Sequence, residues 1–188
     1  MSNRKLKDFL TATYLPQKDA SEMIKNAYGY TYDPNLSTME TKVFLNPGSN
    51  EAIIGFRGSK RVEDWISHNA PLAVGMQSET RRFKQAKSTL QKIQEQYPGF
   101  KTISVGHSLG GSIAKESGAD KSITYNRGIG LGDIGQNISP NETFYRSKYD
   151  PVSTLSFFVS GKKHEYETNA INPLLIHSVS NMPEDIYF

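Results

Sequence analysis

The feature that most constrains this chain is Gly106-His107-Ser108-Leu109-Gly110-Gly111, which directly follows a run of alternating apolar residues, Lys101-Thr102-Ile103-Ser104-Val105. Alternation marks a strand, and Ser108 to Ser117 has a helical composition, so the hexapeptide has to turn a strand sharply into a helix. A residue at such a turn sits in strained backbone with its side chain clear of the sheet. Its neighbours two positions either side must be small, because strand and helix nearly collide there. The pattern G-x-S-x-G meets both demands. The helix start also offers unpaired amides and the positive end of a dipole.

The flanking sequence suits an α/β fold. Ser21 to Gly29 reads as a helix with Met23, Ile24, Ala27 and Tyr28 on one face and a glycine stop. Thr41–Asn46 and Glu51–Phe56 read as strands joined through Pro47-Gly48-Ser49-Asn50, a hairpin. Phe83, Ala86, Leu90, Ile93 and Tyr97 recur at helical pitch until Pro98-Gly99, with Arg82, Lys84, Gln91 and Glu95 on the opposite, solvated face. Short β-type runs follow at Ser122–Tyr125, Thr143–Arg146 and His164–Thr168. Helices interleaved with strands predict a central mixed, mostly parallel β-sheet flanked by helices. With 188 residues, no internal repeat and no long linker, residues 1–188 are expected to form one domain.

Composition narrows the function classes. The chain has no cysteine, which removes disulfide scaffolds, thiolate metal sites and cysteine nucleophiles. A net charge of +3 falls short of the basic face of a nucleic-acid binder. No apolar run approaches the ~18 residues of a membrane span, and no apolar stretch follows the charged N-terminus as in a secretory signal. The expectation is a soluble, intracellular protein.

A serine hydroxyl is too weakly acidic to attack unaided and needs a histidine base with an orienting carboxylate. Of the four histidines, His107 adjoins the serine and points elsewhere, while His68 and His164 have polar surroundings. His177 lies after all the predicted strands, in keeping with the order serine, acid, histidine of sheet-based hydrolases. Asp120, Asp133 and Asp150 all fall between Ser108 and His177. Asp150 has the preferred position, in a turn just beyond a strand end, where such sheets present their working residues.

Taken in order, Phe56-Arg57-Gly58-Ser59, Asp64-Trp65, Gly106-His107-Ser108-Leu109-Gly110-Gly111, Asp150-Pro151-Val152 and His177 resemble the class 3 lipase family. This is the α/β-hydrolase group that includes the triacylglycerol lipases of filamentous fungi. The resemblance runs from about Thr41 to His177. It implies an α/β-hydrolase fold and a carboxylic-ester hydrolase, a lipase, esterase or phospholipase working through an acyl-enzyme. Ser108 would be the nucleophile, Asp150 the acid and His177 the base. Ser59 and Leu109 would donate backbone amides to the oxyanion, with Arg57 and Asp64-Trp65 supporting that loop. An ester or lipid substrate, peripheral contact with lipid surfaces and no cofactor or metal are implied.

Two rivals are an acyltransferase and a catalytically silent hydrolase fold used for binding or structure. The family also has a mobile lid between the oxyanion loop and the next long helix. Here that interval holds Ala70-Pro71-Leu72-Ala73-Val74-Gly75-Met76, which reads as a buried strand, and a short lid implies smaller or more soluble esters.

Three other signals are weaker. Gly130-Leu131-Gly132-Asp133-Ile134-Gly135 fits a dinucleotide fingerprint, but turn-like residues follow where a helix would be needed, so it reads as a loop at the active-site face. His164-Glu165 lacks the second histidine of a zinc motif. The cluster Arg81, Arg82, Lys84 and Lys87 suits anionic headgroups but is more simply a solvated helix face.

Overall fold

The computed structural model describes residues 4–59 and 81–188. His68, the Asp64-Trp65 pair and the Ala70–Met76 interval lie outside the described residues. Seven strands form one sheet in sequential order: β1 (Thr31–Tyr32), β2 (Thr41–Asn46), β3 (Glu51–Phe56), β4 (Lys101–His107), β5 (Lys121–Tyr125), β6 (Glu142–Ser147) and β7 (Lys163–Tyr166). β1, β2 and β3 pair antiparallel, and every pairing from β3 to β7 is parallel. The expected mixed, mostly parallel sheet is therefore present.

Helices cover both faces because the strands alternate apolar residues to both sides. On one face α1 (Leu6–Ala12) and α2 (Gln17–Tyr28) bury Leu6, Phe9, Leu10 and Ile24 against Phe44, Ile53, Ile103, Val105 and Ile123. On the other, α3 (Arg81–Gln96) and α4 (Leu109–Glu116) bury Phe83, Ala86, Leu90, Ile93 and Ile113 against Val43, Ile54 and Phe56. The chain end returns to the first face, where Val179, Met182 and Ile186 join the core and Leu6 N–H donates to the Ile186 carbonyl. A fifth, short helix, α5, spans Pro173–His177.

The hairpin strands β2 and β3 match the expected limits. Asn46 Oδ1 accepts from the amides of Gly48 and Ser49 and closes their turn. α2 starts earlier than Ser21, at Gln17, because Pro16 supplies the fixed φ of −54° from which the chain enters the helix. It stops where expected, with Gly29 left-handed at φ 73°. Arg82 departs from the solvated-face reading. Its guanidinium folds back onto the carbonyl of Arg57 and the carboxylate of Glu40. Among the described residues no helix is long and apolar enough to cross a membrane.

Candidate active site

The strand-to-helix turn is as tight as its sequence demands. Ser108 has φ 57° and ψ −130°, a conformation that L-residues tolerate only where the surroundings impose it. A Cβ on Gly106 would run into the Gly110 carbonyl, and one on Gly111 would come within 2.6 Å of Arg127 Cβ. The first turn of α4 consequently lies directly against β4. The Ser108 carbonyl accepts from Gly111, Ser112 and Gly128, which fixes the turn on three sides.

Asp150 follows β6 in a bend closed by its own carboxylate. Oδ2 accepts from the amide of Ser153 at 2.7 Å and from its hydroxyl at 2.5 Å. Oδ1 lies 2.6 Å from His177 Nδ1, and both side chains are essentially buried. Burial alone would raise the Asp150 pKa. The hydrogen bond and charge of His177 and the two bonds from Ser153 outweigh it and hold the carboxyl below its ordinary value. A carboxylate so satisfied stays ionised and fixes a proton on Nδ1, leaving Nε2 as the basic nitrogen. Nε2 is buried and has no hydrogen-bond partner among the described residues, Ser108 Oγ included.

The loops carrying these residues are tied together through the backbone of His177. Its carbonyl accepts from His107 Nε2 at 2.6 Å and from Asn126 Nδ2 at 3.3 Å, while Asn126 Oδ1 accepts from Ser147 N–H at the end of β6. The imidazole rings of His107 and His177 are 4.6 Å apart. His107 thus serves as a tether, and its buried ring has its pKa pushed down to about 3, by desolvation first and then by the neighbouring His177.

The loop after β3 reaches the same place. A Cβ on Gly58 would sit 3.2 Å from Ser108 Cβ, so Ser59 begins beside the Ser108 turn. The Gly58 N–H is already engaged, donating to Tyr14 Oη at 3.1 Å. The Leu109 N–H meets no acceptor among the described residues.

The remaining candidates lie elsewhere. Asp120 caps the start of β4, accepting from Thr102 N–H and Oγ1, at the end of the strand opposite Ser108. Asp133, in the glycine-rich loop, faces Lys115 at 2.5 Å and Arg127 at 3.4 Å. These cations and the Gly130 amide overcome burial and lower its pKa. That loop forms one 3-10 turn, Leu131–Asp133, and no helix. His164 lies on β7 beside Tyr145. Ser153, Asn126 and Tyr14 contribute to the site without a motif to announce them. Only the spacing of Ser153 three residues after Asp150, a turn-closing arrangement, was open to reading.

A model of Tle-like phospholipase domains, within the phospholipase-like class, matches residues 13–129. The match includes Tyr14, Ser59 and Ser108 and ends before Asp150 and His177. The chain is similar to a solved structure of MDLA from Penicillium cyclopium (N225Q form), with a TM-score of 0.57 and 19% identity over 93% of this chain and 81% of that one. It is also similar to the Lip2 lipase of Yarrowia lipolytica, with a TM-score of 0.52 and 18% identity over 94% and 81% of the two chains. The triacylglyceride lipase of Rhizomucor miehei gives a TM-score of 0.52 and 16% identity over 88% and 78%. These structures share the fold. A sequence comparison with curated proteins gives no match. With its family model spanning more than half of the sequence, the chain belongs to the Tle-like phospholipase domain family.

Proposed function

We propose that the chain is a serine carboxylic-ester hydrolase acting on lipid esters, with Ser108 as nucleophile, His177 as base and Asp150 as its orienting acid. The observation that carries this reading is the buried 2.6 Å contact between Asp150 and His177, on a loop bonded to the residue preceding the strained Ser108. His177 Nε2 takes the proton of Ser108 Oγ as that oxygen forms a bond to the ester carbonyl carbon. The carbonyl electron pair moves onto oxygen, where the amides of Ser59 and Leu109 stabilise it. When the tetrahedral adduct collapses, the C–O bond to the alcohol breaks and the alcohol leaves with the proton from His177. Water then repeats the sequence on the acyl-serine and regenerates the hydroxyl. Catalytic hydrogen bonds of this kind commonly tighten only around substrate, and His177 Nε2 has no other partner among the described residues to compete for it.

A lipid substrate is supported by the chain segments on which the acid and base lie. Phe157 and Phe158 are 73% and 60% exposed just after Asp150, and Ile171 is 96% exposed just before α5, which ends at His177. Exposed apolar side chains on the segments that carry the acid and the base favour an apolar, acyl-chain ligand. A fluorophosphonate probe tests the assignment, since it should label the wild-type protein at Ser108 and leave Ser108→Ala unlabelled. Phosphatidylcholine in mixed micelles should release fatty acid with the wild type alone. Folded wild-type protein that neither labels nor cleaves any ester would refute the proposal.

A further inference from the structure

We infer that Tyr14 and His107 are positioning residues that couple the oxyanion loop to the base through one directed hydrogen-bond chain. The inference rests on the reading of Ser108, Asp150 and His177 given above. Tyr14 lies just beyond α1, outside the strand-loop segments that carry the proposed machinery. Its ring is partly exposed, but its hydroxyl turns inward, 3.1 Å from both the Gly58 amide and His107 Nδ1.

The proton positions along the chain follow from what each end can do. A backbone amide only donates, so Tyr14 Oη accepts from Gly58. A carbonyl only accepts, so His107 Nε2 must carry the hydrogen that meets the His177 carbonyl. A neutral imidazole protonated at Nε2 has a bare Nδ1, and the Tyr14 hydroxyl proton fills it. Burial of His107 keeps the ring neutral, as this arrangement needs. Each group uses its capacity in one direction, from Gly58 through Tyr14 and His107 to His177.

The chain crosses the three elements that must register for acyl transfer: the loop before Ser59, the turn of Ser108 and the segment ending at His177. It has a firm anchor, because a Cβ on Gly55 would stand 2.7 Å from Thr13 Cγ2, which shows how closely the residue before Tyr14 packs on β3. Removing the Tyr14 hydroxyl frees the His107 proton to move to Nδ1. Nε2 would then confront the His177 carbonyl as a second acceptor, and the base would lose its hold. The Gly58 amide would be unpaired in the same step.

The test uses Tyr14→Phe, His107→Gln, His107→Phe and the double variant Tyr14→Phe/His107→Phe in the full chain. With a soluble ester, Tyr14→Phe should lower kcat about 10-fold while KM stays within about twofold, as expected when reacting groups are misplaced and binding is not. His107→Gln, whose amide can donate where Nε2 did, should retain more activity than His107→Phe. Tyr14→Phe should have little further effect in the His107→Phe background. Nitrogen-15 imidazole spectra of the resting protein should show His107 as the Nε2–H tautomer, with that signature lost in Tyr14→Phe. A wild-type kcat in Tyr14→Phe, equal losses in the two His107 variants, or an Nδ1–H tautomer in the wild type would each overturn the coupling. The tautomer measurement needs no turnover. Absence of fluorophosphonate labelling in the wild type would refute the catalytic assignment and leave the chain itself to be judged by its spectrum.

Discussion

Gly110 approaches the backbone of Phe56 so closely that a Cβ on the glycine would overlap the Phe56 carbonyl oxygen. The first turn of α4 therefore rests on the end of β3, and through it on the loop that carries Ser59. Gly106 is as crowded, against the Gly110 carbonyl. Gly106→Ala and Gly110→Ala are expected to destabilise the protein by about 3 kcal/mol or more, since overpacking against backbone cannot be relieved by a side-chain rotation. Gly132 is the control, because a methyl added there would meet no atom within 4 Å and its φ is not positive. Gly132→Ala should be neutral or stabilising by roughly 0.4–1 kcal/mol. Urea denaturation of the three variants checks the contrast, and equal effects would contradict the packing described.

The choice among the three aspartates is open to direct measurement. Asp150→Asn should reduce kcat by about 10^3–10^4-fold, because an amide at that place favours the wrong tautomer of His177. Asp120→Asn should leave kcat near the wild-type value, since Asp120 serves the far end of β4. Asp133→Asn should weaken folding through Lys115 and Arg127, with the folded fraction still active. A large kcat loss in Asp133→Asn with Asp150→Asn active would reassign the acid.

The sequence is most legible where one local rule decides the outcome. The hairpin limits followed from Pro47-Gly48 between two strand-like runs, and α3 from the helical stepping of Phe83 to Ile93. Ser108, Asp150 and His177 stand out as the proposed site because the turn chemistry, the chain order and the family resemblance each restrict the choice. α1 has only seven residues, too few for periodicity to stand out, and β1 has two. The start of α2 is harder to place, because Ser21 resembles a cap while Pro16 sets the actual entry. The partners of His107 and Arg82 were beyond reach for a different reason. Tyr14 lies 93 residues from His107, and neither local propensity nor spacing links them.

A buried ion-pair cluster supports the back of the site and should govern stability. Arg127 is fully buried, its Nε 2.6 Å from Glu142 Oε1, its Nη1 3.4 Å from Asp133 Oδ2, and its guanidinium over the Phe144 ring. Removing one partner strands the other charge in the interior, so Glu142→Ala or Arg127→Ala should cost about 3–5 kcal/mol. Replacing both ions with apolar side chains of similar volume, Arg127→Met with Glu142→Leu, should cost less than either single truncation. Chemical denaturation with a double-mutant cycle measures this, and additive losses would show that the two groups act independently.

The buried neutral His107 should also impose a pH dependence on folding. Unfolded, a histidine titrates near its ordinary pKa of about 6.5, whereas in the fold burial, reinforced by His177, pushes His107 down to about 3. Between those values the unfolded chain binds one more proton than the folded one, so acidification favours unfolding. The associated stability is complete above about pH 6.5 and falls by about 1.4 kcal/mol per pH unit as the pH drops toward 3. Asp150 has its own acid dependence, but a depressed carboxyl loses its contribution only as the pH falls below its ordinary range of about 4. Between about pH 7 and pH 5 the two are separable, and His107→Gln lacks only the first. The stability difference between wild type and His107→Gln should therefore shift by about 2 kcal/mol in favour of the variant across that interval. Urea unfolding at several pH values measures the shift, and parallel curves for the two proteins would mean that His107 is able to accept a proton within the fold.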